Sequence, residues 1–133
     1  MSQENVEKVR EFPRRWNAGE RTVSPDEWDP EVEVLSMVSS VAGQPYRGYA
    51  GVERWFRDLD EQFSEWRVRY DDVREMGGAV IMIGGVTLRG RASDVVFHQP
   101  MSWVIDFGAD SRVTRVRIYS ESDGALKALG AKG

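Results

Sequence analysis

The chain has 133 residues, of which 41% are hydrophobic, and its 22 acidic and 18 basic side chains give a net charge of −4. This length suits one domain that buries roughly two-thirds of the surface of its unfolded form. The arginines are interspersed with carboxylates and form no basic stripe, which argues against nucleic-acid binding. The absence of cysteine excludes disulfides, thiol nucleophiles and thiolate metal sites.

The hydropathy pattern also limits the location of the protein. No apolar run approaches the roughly 20 residues that a membrane-spanning helix needs. Residues 1–12, MSQENVEKVREF, are too charged for a signal peptide. The sequence therefore predicts a cytoplasmic protein that does not enter a membrane.

The N-terminal region of the chain predicts two helices. Residues 3–17 carry an apolar stripe at helical spacing, formed by Val6, Val9, Phe12 and Trp16. Pro13 lacks a backbone N–H, so it is expected to kink or split this helix. Residues 24–27, SPDE, resemble a capping-box start and predict a short second helix, which residues 29–30, Asp-Pro, end.

A strand and a longer helix are expected next. Residues 32–37, VEVLSM, alternate and predict the first strand, and residues 39–48 predict a loop. Residues 51–65 predict a helix with a broad aromatic face, formed by Val52, Trp55, Phe56, Leu59 and Phe63.

Four strand-like segments follow this helix, over residues 66–76, 79–89, 95–107 and 112–119. Turn residues separate the first three segments, which is typical of antiparallel hairpins. Residues 122–130, SDGALKALG, are expected to form a closing turn or short helix.

The middle strands are apolar on both faces. Residues 79–83 and 95–97, AVIMI and VVF, do not alternate with polar residues, as a strand with one solvated face does. Two or three short helices cover only one face of a four- or five-stranded sheet, so a second copy of the chain is expected to cover the other face in a homodimer. The alternative is an apolar patch that stays exposed. The expected fold is α+β, with a strongly curved, mainly antiparallel sheet wrapped around two or three helices.

Five segments occur in a distinctive order: NAGE after the first helix, DPEVEV at the first strand, YRGYAGVERWF at the long helix, QPMSWVIDF on the fourth strand and ALKALG near the end. In this order the chain resembles, over nearly its whole length, the SnoaL-like branch of the nuclear-transport-factor-2-like superfamily. The resemblance implies one cone-shaped α+β domain over residues 1–133. It implies no single activity, because this superfamily includes isomerases, dehydratases, epoxide hydrolases, polyketide cyclases and non-enzymatic binders.

Several catalytic groups of known superfamily members have no counterpart here. The position of the general base of ketosteroid isomerase matches Leu35 or one of the two residues after it, none of which takes a proton from carbon. The tyrosine and the protonated aspartate of that isomerase fall near Phe12 and Ser102. The last-strand aspartate of limonene epoxide hydrolase falls near Ile118. The resemblance therefore disfavours both reactions.

For acid and base groups of the polyketide-cyclase kind, the resemblance leaves His98 and Asp106. Eight residues along one strand span about 26 Å, so these two side chains are not expected to share a proton. A partner for His98 is expected from a neighbouring element, with Glu33, Asp72 and Arg89 as candidates. His98 is the one histidine of the chain and hence the candidate catalytic residue. The alternative is a structural or interface histidine.

An apolar pocket is the second candidate site. Its expected wall consists of Trp16, Leu35, Met37, Trp55, Phe56, Leu59 and Phe63. Three polar side chains are candidates for orienting a ligand: Tyr46, Ser102 and Tyr119. The alternatives are a solid core and local hydrogen bonds to the backbone.

Neither a metal nor an organic cofactor is expected. One histidine without thiols or a carboxylate cluster does not make a three- or four-ligand site. Residues 85–91, GVTLRGR, lack the helix and the acidic residue of a nucleotide-binding loop. The sequence thus predicts binding of a small, largely apolar organic molecule, with cofactor-independent isomerase, cyclase or hydrolase chemistry through His98 as an extension. The alternative is a non-catalytic ligand-sensing or protein-interaction module on the same scaffold.

Overall fold

A computed structural model describes residues 2–36 and 44–121 of the chain, where a pair of helices packs on one face of a six-stranded sheet. The helices are α1 (Ser2–Asn17) and α2 (Gly48–Gln62). The strands are β1 (Trp28–Leu35), β2 (Tyr46–Arg47), β3 (Phe63–Met76), β4 (Ala79–Gly90), β5 (Val96–Phe107) and β6 (Val113–Tyr119).

The strands lie in the order β2-β1-β6-β5-β4-β3. β1 pairs with β6 in parallel, and the other four neighbouring pairs are antiparallel. The predicted α+β class with a mainly antiparallel sheet is confirmed. The predicted tail element (122–130), residues 39–43 of the predicted loop and Met37 lie outside the described residues.

α1 is one continuous helix that contains Pro13. The predicted split of the helix near Val9 to Phe12 is wrong, although proline in a helix interior costs about 3 kcal/mol, and the alternative, a kink, stays a prediction. The apolar stripe of α1 explains the continuity, because Val9 and Trp16 are buried in the core beneath the helix. Tertiary packing of such a stripe contributes most of the stability of a helix in a folded protein.

Residues 24–27 form a turn, so the predicted second helix is wrong. The backbone N–H groups of Glu27 and Trp28 both donate to the carbonyl oxygen of Ser24, at 3.0 Å each. β1 then begins at Trp28, which pairs with Val113 of β6 and has a buried side chain. Local capping signals are overridden here because Trp28 gains more from burial in the sheet than from a short helix.

α2 starts and ends three residues earlier than the aromatic stripe predicts, at Gly48 and Gln62. Gly48 has a φ of 69°, and a Cβ there would lie 3.3 Å from the carbonyl oxygen of Pro30, so glycine suits this entry to the helix. The stripe is buried as far as Leu59, but Phe63 begins β3 instead of ending the helix.

The two faces of the sheet bury different clusters. Side chains alternate along each strand, so neighbours in sequence lie on opposite faces. Met82 of β4 and Trp103 of β5 belong to the large cluster that includes both helices, which defines the inner face. Ala79, Ile81 and Val104 form a smaller cluster on the opposite, outer face. Ile81 and Val104 are 0% exposed within one chain, which explains why these strands are apolar on both faces.

Candidate functional site

A cavity of about 90 Å³ lies between α1, α2 and the inner face of the sheet. Space of this size holds roughly three water molecules. Its wall is mainly aromatic and includes Phe12, Trp16, Trp28, Trp55, Phe56, Trp103 and Phe107. A partly open space with this lining is suited to a small apolar molecule.

Trp16 anchors the side of the wall that α1 contributes. Its ring centroid lies 5.9 Å from that of Phe12 and 5.1 Å from that of Phe56. Its indole N–H donates to the carbonyl oxygen of Trp66 at 2.8 Å. With its ring in contact with two other rings and its polar atom satisfied, Trp16 forms a preorganised wall.

Trp55 differs from Trp16 in one respect. It also lines the cavity and is only 5% exposed, with its ring centroid 5.3 Å from that of Phe56. Within the described residues of the chain, its indole N–H has no hydrogen-bond partner. Leaving a buried donor unpaired costs about 1–3 kcal/mol, so this group favours an acceptor from outside the chain.

Two charged groups at the cavity, Arg15 and Glu27, form a pair. Arg15 of α1 donates to both carboxylate oxygens of Glu27, at 2.7 and 3.0 Å. This hydrogen bonding outweighs the effect of burial and lowers the pKa of Glu27, and it raises the pKa of Arg15. Glu27 is therefore held as a carboxylate and is unsuited to act as a general acid.

Lys8 is also held in place. Its ammonium group donates to the carbonyl oxygen of Ser111 at 2.8 Å and lies 3.7 Å from the carboxylate of Glu4. The remaining polar residues of the lining, Glu20 and Thr22, are exposed to solvent. Apart from Glu20 and Thr22, the cavity thus presents aromatic and aliphatic side chains and compensated charges to a ligand.

The structure places three of the predicted pocket residues, Trp16, Trp55 and Phe56, on this wall. Leu35 pairs with Arg117 and lies on the outer face of the sheet. Its neighbour Val34 belongs to the inner cluster. Leu59 and Phe63 border a separate, more polar cleft of about 250 Å³ near the C-terminal end of α1. Met37 lies outside the described residues.

The three predicted polar handles are not among the residues that line the cavity. The hydroxyl of Tyr46 donates to the carboxylate of Asp58; burial first, and then this bond, raise the pKa of Tyr46 to about 12. The hydroxyl of Ser102 donates to the backbone carbonyl of Glu121 at 2.7 Å on the outer face. Tyr119 pairs with Ser102 and packs against the outer cluster.

His98 lies on the outer face of β5 and is exposed. Its Nδ1 is 2.9 Å from the hydroxyl oxygen of Thr87, directly across on β4. The sheet therefore separates its imidazole from the cavity. The three candidates for its partner are engaged in ion pairs elsewhere: Glu33 with Arg47, Asp72 with Arg74, and Arg89 with Asp94.

Sequence reasoning missed the polar groups that do line the cavity. Arg15 and Glu27 were not distinguished from surface charges, because their pairing depends on how α1 lies over the turn before β1. Trp55 was identified as a wall residue, but its unpaired N–H is visible only in three dimensions.

In residues 2–36 and 44–121, no group of three or more histidine, aspartate or glutamate side chains is placed to hold a metal ion. The helices in the same ranges are too short or too polar to cross a membrane. The cytoplasmic location stays a prediction.

Two helices pack on the inner face of the mixed sheet, and the cavity lies between them and the sheet. This arrangement is an α+β cone of the nuclear-transport-factor-2-like type. Residues 9–116 match the sequence profile of the SnoaL-like domain, and the chain belongs to this family. The resemblance found in the sequence is confirmed. A search of curated proteins finds no match.

Solved structures share this fold across nearly the whole chain. A protein assigned as a SnoaL-like polyketide cyclase from Jannaschia sp. CCS1 is 18% identical, with a TM-score of 0.76 over 99% of this chain and 95% of that one. An NTF2-like protein of unknown function from Burkholderia pseudomallei K96243 is 16% identical, with a TM-score of 0.75 over 96% and 98%. TerC, co-crystallised with polyporic acid, is 12% identical, with a TM-score of 0.69 over 96% and 98%. Identities this low establish a shared fold and not a shared activity.

Proposed function

We propose that the protein binds a small, largely apolar organic molecule in the cavity between α1, α2 and the inner face of the sheet. The observation that carries this proposal is the cavity of about 90 Å³ with its mainly aromatic wall. The Arg15–Glu27 ion pair beside it is internally compensated, so the site requires no charge from the ligand. A protein of the same fold, TerC, was crystallised with polyporic acid, which supports ligand binding by such a scaffold.

Binding without turnover is the form of this function that the site favours. Among the described wall residues, the carboxylates are Glu20 and Glu27. The hydrogen bonds from Arg15 lower the pKa of Glu27, which makes this carboxylate a weak base. His98 lies on the other side of the sheet. The protein then acts as a ligand-sensing or ligand-carrying module.

A second candidate function is cofactor-independent isomerase, cyclase or hydrolase chemistry. It is favoured by the position of Glu27 on the cavity wall, where a bound molecule would meet a carboxylate. In this reaction class Glu27, and not His98, takes the proton. If Glu27→Gln still binds the ligand but no longer converts it, the result supports this second function. If the rate of conversion is unchanged, Glu27 is excluded as the base.

We also propose that two copies of the chain pack through their outer faces. Met76, Ile83 and Tyr119 are partly buried around the outer cluster and leave apolar surface for a partner. Light scattering is expected to report a particle of two 15.1 kDa chains. Ile83→Asp places a charge in this surface and is expected to give single chains. A wild-type protein with the mass of a single chain would contradict the dimer.

A small-molecule screen with a cavity-filling variant tests the binding function. Val113 lines the cavity, so Val113→Trp is expected to occupy the space that the ligand needs. The matched control Val96→Trp introduces the same ring at a position 41% exposed on the outer face. Thermal unfolding is monitored for the wild type and both variants with a panel of uncharged ring compounds.

At a ligand concentration a hundred times Kd, binding stabilises the folded state by about 2.7 kcal/mol. A rise of the unfolding midpoint is expected for the wild type and for Val96→Trp, and none for Val113→Trp. The proposal fails if no compound raises the wild-type midpoint or if Val113→Trp responds as the wild type does.

A further inference from the structure

Three buried polar atoms have no hydrogen-bond partner within the described residues: Asn5 Oδ1, Trp55 Nε1 and Arg117 Nε. Of these three residues, only Trp55 lines the cavity. Its unpaired group is a donor, so what it lacks is an acceptor. The missing partner is therefore an acceptor, and the residue that lacks it lies on the cavity wall.

The same wall shows that an indole can be satisfied from within the chain. Trp16 donates to the carbonyl oxygen of Trp66 at 2.8 Å. Trp55 projects from α2, whose interior carbonyls accept the helical hydrogen bonds, and its ring lies among other aromatic rings that offer no strong acceptor. Packing thus holds this N–H buried at the cavity wall without an internal partner.

The charges at the cavity point to an uncharged ligand. The guanidinium of Arg15 is occupied by both oxygens of Glu27, and Lys8 donates to the carbonyl oxygen of Ser111. An anion would have to compete with these contacts for its partner, and a cation would meet Lys8 and Arg15. A neutral acceptor needs only the free indole N–H.

We propose that the ligand is an uncharged ring compound with a carbonyl-type oxygen, and that this oxygen accepts the N–H of Trp55. This inference rests on the proposed binding function and names the class of molecule that the same site takes. The aromatic wall packs against the ring, and the one hydrogen bond fixes the orientation of the ring. Trp55 is then the residue that selects ring ketones and aldehydes over hydrocarbons of the same shape.

Two probes of equal shape test this selection. Acetophenone carries a carbonyl oxygen, and α-methylstyrene carries a CH₂ group in its place. The hydrocarbon gains more from leaving water, so the readout is the ratio of the two dissociation constants, and not either one alone. Calorimetric titration gives this ratio for the wild type and for two variants.

Trp55→Phe removes the N–H and keeps an aromatic ring. The preference for acetophenone relative to α-methylstyrene is expected to fall about tenfold in this variant, the loss of one hydrogen bond. The matched control is Phe12→Leu, which reshapes the same wall but removes no polar atom. It is expected to change both affinities alike and to leave their ratio as in the wild type.

A measurement on the wild type covers the case in which Trp55→Phe does not fold. The indole proton of Trp55 is expected to shift downfield in the NMR spectrum with acetophenone and to show a much smaller shift with α-methylstyrene. Two results would overturn the inference and leave the binding function standing. Both probes could bind with a ratio of dissociation constants that Trp55→Phe leaves unchanged, or both could shift the indole proton equally. Failure of both probes to bind the wild type also overturns the inference, and the binding function is then decided by the wider panel of ring compounds.

Discussion

The inner and outer faces of the sheet are made by the same strands but are packed in different ways. On β5, Met101, Trp103 and Ile105 belong to the inner cluster, and Val104 between them belongs to the outer one. The inner face combines large rings with two helices laid across it, and the cavity lies among them. The outer cluster combines small and β-branched side chains, which pack without room for a ligand at Ile81 and Val104.

The same contrast separates the candidate functions. The inner face offers a buried N–H and a compensated ion pair beside the cavity, as a binding site needs. The outer face carries the exposed His98 and an ion pair between Asp106 and Arg117 at 3.6 Å. Substitutions on the inner face are therefore expected to change stability and ligand affinity, and substitutions at the exposed positions of the outer face to change neither.

The largest effect is expected for Trp16→Ala. It removes a buried ring that packs against Phe12 and Phe56, together with the hydrogen bond to Trp66. The free energy of unfolding is expected to fall by about 3–5 kcal/mol, measured by chemical denaturation. Val96→Ala on the outer face is the control and is expected to change it by about 0.5 kcal/mol or less. Similar losses in both variants would contradict the contrast between the faces.

Tyr46→Phe is expected to cost about 1.5 kcal/mol, because it removes a hydrogen bond to the carboxylate of Asp58. The pKa of Tyr46 is raised from 10.0 to about 12 in the folded chain. The neutral hydroxyl therefore contributes stability that is complete below about pH 10 and is lost as the pH rises through about 12.

Unfolding free energies measured at increasing alkaline pH test this expectation. The variant is expected to lose less stability over that window than the wild type does. Tyr70→Phe, which alters a tyrosine 40% exposed, is the control for stability at neutral pH. If Tyr46→Phe is as stable as the wild type at neutral pH and loses as much unfolding free energy at alkaline pH, the bond to Asp58 contributes nothing.

Glu27→Gln is expected to cost about 1 kcal/mol near neutral pH, since the ion pair with Arg15 is about one-third exposed and solvent screens it. The pKa of Glu27 is lowered below 4.5 in the folded chain. Its contribution is therefore present above about pH 4.5 and is lost as the pH falls through the folded pKa.

Denaturation at a series of acidic pH values measures this loss, which is expected to be shallower in Glu27→Gln than in the wild type. Arg15→Gln removes the partner and is expected to reduce the acidic loss in the same way. If either variant loses as much unfolding free energy at acidic pH as the wild type does, the pair does not hold the carboxylate in its charged form.

The features of the fold that follow from local patterns were predicted from the sequence, and the features that depend on strand register were not. The helical stripe through Trp55 and the glycine turn at residues 77–78 each lie within one segment, so their periodicity is visible. The side of the sheet on which Leu35 lies depends on its pairing with Arg117, far along the chain. A shift of one residue exchanges the two faces, and composition does not record it.

The candidate site divides in the same way. Trp16 and Trp55 were predicted as wall residues because aromatic residues on a helical stripe face the core. The polar groups were not, because hydrogen-bond satisfaction depends on distant partners such as the carbonyl of Trp66. His98 was selected for its residue type, and residue type does not tell which face of a strand a side chain occupies.

The smallest effect is expected for His98→Ala, which tests the outer face directly. The imidazole is exposed, and its contact in the described structure is the hydroxyl of Thr87 at 2.9 Å. Its removal is expected to change the free energy of unfolding by about 0.5 kcal/mol or less. The affinity for acetophenone is expected to stay within about twofold, because the sheet lies between this residue and the cavity.

Thr87→Val removes the other half of the contact and is expected to behave alike in both denaturation and calorimetry. A tenfold loss of affinity in His98→Ala alone would place ligand binding on the outer face and so reverse the assignment of the two faces.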